Sequence, residues 1–148
     1  MSTASLEERV QRLEDIEAIK DLTARYASCV DKGLNGKTVD LDGLRSVFAE
    51  DATWESADMQ ISGAGIDQIV QGVKDQTAVV EFSMHSFTNP LITVHTDQAT
   101  GTWLLWIASK IGGQTKEVFL GEDVTYVRTS RGWRMKSVNL QVGMALIP

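Results

Sequence analysis

The sequence predicts an α+β fold in which three N-terminal helices pack on one strongly curved antiparallel sheet. Two observations indicate it. Helical hydrophobic spacing runs as far as Ala78, and long strand-like segments separated by short turns fill the rest of the chain. With 148 residues and 43% apolar side chains, the chain suits one domain, residues 1–148, around one core. A cone of this kind, open at one end, is a natural small-molecule site.

The first helix begins at a capping box, because Ser5 and Glu8 can each satisfy a free backbone N–H group of the other. Gly favours a left-handed cap, so we expect the helix to end near Lys32 and Gly33. Asp31 then lies at the C-terminal end, where the helix dipole disfavours a carboxylate, and this indicates a role other than helix stability. The apolar residues that step through the helix by three and four are Leu6, Val10, Leu13, Ile16, Ile19, Leu22, Tyr26 and Cys29.

The middle of the chain predicts a loop, two short helices and the start of a strand. The loop is expected over residues 34–39. A second helix should follow, with Phe48 among its apolar residues and its end at residues 50–51. Residues 52–56 are typical of a strand, with Trp54 facing the core or a pocket. The glycines of residues 63–65 then break the chain before a third helix, whose apolar residues are Ile66, Ile69, Val70 and Val73.

The last part of the chain predicts four long strands, over residues 81–95, 99–111, 115–128 and 133–144. The turns between them are only two to four residues long. Such short connections force consecutive strands to pair antiparallel, so the sequence predicts an antiparallel sheet.

Composition and charge argue against several classes of protein. The net charge is −6, whereas a nucleic-acid-binding protein shows a basic face. The chain has no run of about 18 apolar residues, and its acidic start lacks the apolar segment of a signal peptide, so no membrane partner is expected. Cys29 is the one cysteine, which together with these features favours the cytoplasm. Arg128, Arg131 and Arg134 flank one turn, where we expect a solvated hairpin end.

Acid–base chemistry is the reactive chemistry that the residues support best. His95 lies beside a turn, where we expect a surface residue, and the residues alone favour a buried structural role for His85 in mid-strand. Two histidines and one cysteine form no metal-ligand cluster, and neither a nucleophile motif nor a cofactor motif is present, so we expect no metal and no cofactor. Asp31 is a candidate partner that would fix the tautomer of His85, but spacing along the chain cannot join the two residues.

Several short segments resemble one known family in their order and spacing. These segments are Leu13–Leu22 with Tyr26 and Asp31, Phe48–Trp54, Met84-His85 with Asn89-Pro90 and Ile92, Ala99–Trp103, and Tyr126 with Gly132-Trp133. On these residues the chain resembles the SnoaL-like branch of the nuclear transport factor 2-like superfamily over nearly its whole length. Within that branch it is most similar to the bile acid 7α-dehydratases, and more distantly to scytalone dehydratase and hexachlorocyclohexane dehydrochlorinase.

The resemblance implies a cofactor-independent lyase, most simply a dehydratase. Such an enzyme removes a proton with a His–Asp pair while a leaving group departs. Asp31 and His85 fall on that pair, and Tyr26 falls on a tyrosine near the pocket. The chain departs from the family's pattern where Ile107 and Ser109 replace a further aspartate or histidine.

Glu122 is the candidate to replace the missing acid. If its strand alternates so that Leu120 faces inward, Glu122 also enters the pocket. A shift of one residue instead leaves Glu122 and Asp123 as a solvated pair at a strand edge. The sequence leaves both orientations open.

The expected ligand is an apolar, cyclic, steroid- or terpenoid-like molecule. An isomerase or hydratase with the same pair, and a non-catalytic binding or assembly module, are the alternatives. Leu104 and Trp106 predict an exposed apolar patch, and hence a homodimer or homotrimer. The candidate walls of the pocket, each of which is otherwise a core residue, are Trp54, Phe87, Trp103, Leu105, Ile107, Leu120 and Val142.

Overall fold

The computed structural model describes residues 4–146 and confirms the predicted α+β class. The helices are α1 Leu6–Val30, α2 Leu41–Arg45 and α3 Ile66–Thr77, with a 3₁₀ turn at Leu34–Gly36 inside the predicted loop. The strands are β1 Phe48–Ser56, β2 Ile61–Ala64, β3 Val80–His95, β4 Gln98–Ile111, β5 Gln114–Thr129 and β6 Gly132–Leu146. Among these described helices, none has the length and apolar character that a membrane crossing requires.

The six strands form one curved, unclosed sheet in the order β2-β1-β6-β5-β4-β3. The four long strands pair antiparallel in chain order, as their short turns predict. However, β1 runs parallel to β6, so the prediction of a wholly antiparallel sheet is wrong at this pair. Short turns determine the relative direction of consecutive strands only, and β1 and β6 are far apart in the chain.

The start of β1 corrects a second prediction. Phe48 and the residues up to Asp51 belong to this strand, and not to the end of the second helix, which already ends at Arg45. Phe48 pairs with Met135 of β6, whose N–H donates to the carbonyl oxygen of Val47 at 2.9 Å. Tertiary pairing therefore overrides the helical spacing of the apolar residues. The short strand β2, which the sequence did not predict, extends the sheet beyond β1.

Helix α1 begins as predicted and ends early. The backbone N–H of Ser5 donates to Glu8 Oε2 at 2.7 Å, and the N–H of Glu8 donates to Ser5 Oγ at 3.1 Å, which confirms the capping box. The helix ends at Val30, before the predicted end, because Lys32 forms a β-bridge with Ser83 of β3. Three apolar residues in its N-terminal part are exposed, namely Leu6, Val10 and Leu13.

Asp15 joins α1 to the ends of β5 and β6. Its buried carboxylate accepts two hydrogen bonds from the Arg128 guanidinium, at 2.8 and 2.7 Å, and one from the Trp133 indole N–H at 3.1 Å. Arg128 also lies over the Trp133 ring, 4.5 Å from its centroid. The hydrogen bonds from Arg128 are the main cause that holds the pKa of Asp15 below its usual value. The prediction that Arg128 belongs to a solvated hairpin end is therefore wrong.

Leu104 and Trp106 lie on the outer face of the sheet, 53% and 38% exposed. Trp106 stacks on Phe119 of β5, with ring centroids 6.1 Å apart and ring planes 2° from parallel. Phe119 is in turn paired with Met144 of β6, which is also exposed. We call Leu104, Trp106, Phe119 and Met144 the outer apolar patch.

Replacing Asp15 by Asn should lower the free energy of unfolding at pH 7 by about 1–3 kcal/mol, because it removes the charge that accepts the two hydrogen bonds of Arg128 and leaves Arg128 only its 3.3 Å ion pair with the exposed Asp97. Urea denaturation measures this difference. Glu17→Gln on the same helix, which breaks the exposed pair with Lys20, should change stability by less than about 0.5 kcal/mol.

The effect of Asp15→Asn has a defined pH dependence. The folded protein lowers the pKa of Asp15, so the stabilisation is present above the ordinary pKa of an aspartate and is lost as the pH falls through the folded-state pKa. The wild type and the variant should therefore converge in acid. A difference that persists unchanged in acid would contradict this account.

We expect the outer apolar patch to associate with a second copy of the chain, in a homodimer or homotrimer, because a patch of this kind is rarely left in water. Trp106→Glu should then give a monomer by light scattering. Thr100→Glu, on the same strand and the same exposed face but outside the patch, should leave the assembly intact. A monomeric wild type contradicts the prediction.

Candidate active site

The structure brings Asp31 and His85 into contact. Asp31 Oδ1 lies 2.7 Å from His85 Nδ1 and accepts a second hydrogen bond, of 2.9 Å, from the backbone N–H of the same histidine. The two side chains are 20% and 15% exposed, so a ligand can reach the pair. When Nδ1 donates to the carboxylate, Nε2 is left as the acceptor of the ring. Within residues 4–146, Nε2 has no hydrogen-bond partner.

A β-bridge between the end of α1 and strand β3 positions this pair. The N–H of Lys32 donates to the carbonyl oxygen of Ser83 at 3.3 Å, and the N–H of Ser83 donates back to that of Lys32 at 2.9 Å. Asp31 has an extended backbone, with φ −71° and ψ 146°. The Asp31 side chain accepts the hydrogen bond from the N–H of His85. If the β-ladder between Lys32 and Ser83 continued in this direction, a backbone carbonyl oxygen would accept it instead. The bridge thus joins residues that are distant in sequence.

Lys37 offsets the unfavourable position of Asp31 at the end of the helix. Its ammonium group donates to the carbonyl oxygens of Ser28 and Asp31, the latter at 3.3 Å, and so caps free carbonyls of α1. The intervening loop depends on Gly33, whose φ is +94° and where a Cβ would lie 2.6 Å from the carbonyl oxygen of Glu81. The cation and the glycine together allow the carboxylate to stay beside β3.

A cavity of about 540 Å³ lies between α1 and β3, with Asp31 and His85 in its wall. This volume suits a small-molecule site. The α1 side consists of Lys20, Thr23, Ala24, Ala27 and Ser28. The remaining wall is mostly apolar and consists of Leu34, Lys37, Phe82, Ser83, Met84, Phe87, Pro90 and Trp103.

Two of the predicted wall residues, Phe87 and Trp103, line this cavity. The others lie in the core or pack against it: Trp54, Leu105 and Leu120 are buried there, and Ile107 and Val142 are partly buried. The sequence did not predict the α1 residues of the cavity wall. Helical spacing could have found them, because they lie three, four, seven, eight and eleven residues before Asp31 and therefore on the same face of the helix.

Trp103 lines the cavity, and two contacts position its ring. Its indole N–H donates to the hydroxyl of Tyr126 at 2.9 Å, and the ring packs edge-to-face on Phe87 with centroids 5.9 Å apart. A Cβ on Gly101 would lie 3.1 Å from Tyr126 Cε2 and 3.4 Å from the indole nitrogen. The glycine two residues before Trp103 therefore leaves room for this hydrogen bond.

Tyr26 packs against the pair from α1. Its ring centroid lies 6.4 Å from that of His85 and 6.0 Å from that of Phe87, both edge-to-face. Burial raises the pKa of the Tyr26 phenol well above its ordinary value, and the negative charges of Glu122 and Asp31 raise it further. Tyr26 is therefore a neutral hydroxyl within electrostatic range of both carboxyl groups.

Glu122 faces the inside of the fold, which is one of the two orientations that the sequence left open. Its neighbours of the same parity, Leu120 and Val124, are buried with it, and Glu122 itself is 2% exposed. Within residues 4–146, neither carboxyl oxygen has a hydrogen-bond partner. Burial raises the pKa of Glu122 to about 8, with a smaller contribution from the charge of Asp123. At neutral pH the group is mostly an uncharged carboxylic acid.

The other candidate reactive groups lie outside this arrangement. Cys29 is buried, and burial raises the pKa of its thiol, which disfavours the nucleophilic thiolate. His95 is exposed at the end of β3. Across residues 4–146, no group of three or more His, Cys, Asp or Glu side chains could hold a metal ion. The expectation that the protein needs no cofactor stays a prediction.

Glu122→Gln should remove a pH dependence of stability. The folded-state pKa of Glu122, about 8, lies above that of the unfolded chain, so wild-type stability is full below about pH 4.5 and falls as the pH rises to about 8. Tyr26 and Tyr126, which face Glu122, stay protonated in this range because burial raises the pKa of each.

The amide of Glu122→Gln cannot ionise, so the free energy of unfolding of the variant should rise relative to that of the wild type from pH 5 to pH 9, by up to about 4 kcal/mol. Urea denaturation at several pH values measures it. Glu117→Gln on the same strand should keep the wild-type slope, and an unchanged slope in Glu122→Gln would contradict the account.

Solved structures of several other proteins have a similar fold. A candidate aromatic ring hydroxylase from Novosphingobium aromaticivorans has a similar structure, with 24% identity, coverage of 92% of this chain and 94% of that chain, and a TM-score of 0.82. The LinA-type3 hexachlorocyclohexane dehydrochlorinase of Novosphingobium barchaimii has 18% identity, coverage of 95% and 94%, and a TM-score of 0.80. A candidate scytalone dehydratase from N. aromaticivorans has 16% identity, coverage of 92% and 89%, and a TM-score of 0.80.

At these identities the likeness shows the fold alone, and the similarity to bile acid 7α-dehydratases stays a prediction. The family is shown by the sequence itself, because residues 11–139 match the SnoaL-like domain. This match covers most of the chain, from the second turn of α1 to β6, and it includes Asp31, His85 and Glu122. The chain therefore belongs to the SnoaL-like family.

Proposed function

We propose that the protein is a cofactor-independent lyase of the dehydratase type, acting on an apolar cyclic molecule of steroid- or terpenoid-like character. The observation that carries this proposal is the contact of Asp31 Oδ1 with His85 Nδ1 in the wall of a mostly apolar cavity. A carboxylate on one ring nitrogen holds the other as a base. Proton transfer near neutral pH is the chemistry for which histidine is best suited.

In the proposed reaction, His85 Nε2 takes a proton from a carbon of the substrate, and the electrons of the C–H bond form the new double bond. The adjacent C–O bond breaks, and its electron pair leaves with the oxygen. That oxygen takes up the proton from the His85 imidazolium, which restores the base, and departs as water. Asp31 orients the ring and stabilises the imidazolium ion that forms.

Tyr26 is the proposed donor to the oxygen that gains charge, either the leaving hydroxyl or a carbonyl conjugated to the reacting carbon. It is neutral, buried and packed on the ring of His85. Glu122 lies within electrostatic range of the same phenol and extends the set of neutral donors deeper into the fold. Donors of this kind stabilise charge most where water is excluded.

The names of structural neighbours support elimination as the reaction class. One is a hexachlorocyclohexane dehydrochlorinase and another a candidate scytalone dehydratase, and both names describe loss of a small molecule, hydrogen chloride or water. The apolar wall of the cavity, with aromatic side chains such as Phe82, Phe87 and Trp103, suits a cyclic substrate.

A second candidate is a non-catalytic small-molecule-binding or assembly module. The observation that favours it is Ile107, which the resemblance places where related lyases have a further acid and which pairs with His85 on the neighbouring strand without supplying one. An isomerase or hydratase with the same pair also fits the geometry. These alternatives differ in whether an alkene forms and in whether the pair is needed for it.

The activity test uses a panel of cyclic β-hydroxy ketones, with alkene formation followed by ultraviolet absorbance. His85→Ala should lower kcat/KM by about 10²-fold or more, because the base is lost. His95→Ala, which removes the exposed histidine at the other end of β3, should leave it unchanged. Equal rates for wild type and His85→Ala, or no product from any member of the panel, would favour the binding module.

Asp31→Asn should cause a comparable loss with nearly unchanged urea denaturation, because the side chain is partly exposed and the amide can still accept the backbone N–H of His85. The double variant should be no slower than His85→Ala, since the two residues act as one unit. Strong destabilisation by Asp31→Asn would make the carboxylate structural instead.

A further inference from the structure

Three buried side-chain atoms have no hydrogen-bond partner among residues 4–146: Trp54 Nε1, Glu122 Oε1 and Glu122 Oε2. Buried polar groups in native proteins are nearly always paired, because an unpaired one retains the cost of its lost hydration. Both residues are at least nine-tenths buried. Two unpaired groups inside one small domain therefore call for a partner that the chain does not supply.

The two groups belong to one place on the inner face of the sheet. Trp54 of β1 is paired with Val138 of β6, and Glu122 of β5 is paired with Leu140 of the same strand. They lie on the two strands that flank β6, and their pairing partners on β6 are two residues apart, so both face the same side of the sheet. Both act on the Tyr26 phenol, whose pKa is raised by the charge of Glu122 and lowered by the indole N–H of Trp54, although that N–H does not reach hydrogen-bond geometry. Both groups therefore lie within electrostatic range of Tyr26.

The chemistry of the groups defines what they can bind. An indole N–H only donates, and a protonated carboxyl group donates one hydrogen bond and accepts others. A hydroxyl or ketone oxygen can accept from both. A carboxylate or phosphate would bring a charge into an apolar core, where an ion loses its hydration. The fitting group is a neutral oxygen.

The register relates this place to the cavity. Glu122 is paired with Trp103, which lines the cavity, and His85 is paired with Ile107, four residues further along β4. Four residues of a strand span about 13 Å. A group at Glu122 is therefore held at the opposite end of a multi-ring ligand from the carbon that faces His85.

We propose that Glu122 and Trp54 form a second polar subsite, which binds a neutral hydroxyl or ketone oxygen at the far end of an otherwise apolar, multi-ring ligand. The proposal depends on the proposed function only in placing the ligand in the cavity beside His85. Neither Glu122 nor Trp54 lines the cavity, so the proposal requires the rings of Trp103 and Phe87 to turn aside when the ligand binds, which breaks the hydrogen bond from Trp103 to Tyr126. Apolar skeletons without such an oxygen, and skeletons that end in an anion, bind more weakly.

Equilibrium dialysis with three probes of one skeleton tests this: 5α-androstane, 5α-androstan-3-one and 5α-androstan-3β-ol. The wild type should bind the ketone and the alcohol about tenfold more tightly than the hydrocarbon, which corresponds to one net hydrogen bond. Glu122→Leu should lose this preference while keeping its affinity for the hydrocarbon, and Trp54→Phe should reduce it. Glu122→Gln keeps a donor and should retain most of it.

His85→Ala should still bind the ketone and the alcohol more tightly than the hydrocarbon by the wild-type factor. This variant separates the subsite from the catalytic proposal. If the wild type shows this preference but has no lyase activity, only the proposed function is refuted. Glu122→Leu removes an unpaired buried carboxyl group and should unfold at higher urea concentration than the wild type, so a folding defect does not explain its loss of binding. Equal affinity of the wild type for all three probes, or an unchanged preference in Glu122→Leu, would overturn the subsite and leave a buried water as the partner of these groups.

Discussion

The carboxylate of Asp31 accepts two hydrogen bonds from one residue, His85, and the arrangement of the site depends on this contact. It ties the end of α1 to the edge strand β3, immediately beside the bridge between Lys32 and Ser83. The cavity lies between these same two elements. A change in the angle of α1 would therefore open the cavity wall and separate the base from its orienting acid in one movement, so the stability of this junction and the competence of the site are coupled.

Three carboxyl groups have different roles because they differ in burial and in hydrogen-bond partners. Asp15 is buried and fully paired by Arg128 and Trp133, so it is a charged structural link. Asp31 is partly exposed and holds a histidine, so it can take part in chemistry. Glu122 is buried and unpaired, so it is mostly neutral. Burial penalises the ion, whereas a hydrogen-bonding cation favours it, and the balance differs at each position.

The elements that the sequence predicted correctly are those that depend on local interactions. The capping box of α1 joins Ser5 and Glu8 within one turn of helix, and the antiparallel order of β3 to β6 follows from short turns. The apolar spacing of Phe48 predicts a helix, whereas its pairing with Met135 requires a strand. The sequence predicts Arg128 in solvent, because its partner Asp15 lies 113 residues away in the chain.

The sequence by itself determined the α+β class, the long first helix and the four-strand meander, since each follows from periodicity and turn length. It also identified Asp31, His85 and Tyr26 through the family pattern, and Glu122 through the alternation of its strand, but could not join them. Only the tertiary structure decided that Asp31 meets His85, that Glu122 faces inward without a partner, and which aromatic side chains line the cavity. The physical reason is that these contacts form between elements distant in the chain. The curvature of the sheet and the early end of α1 set their distances, and no local pattern encodes those two features.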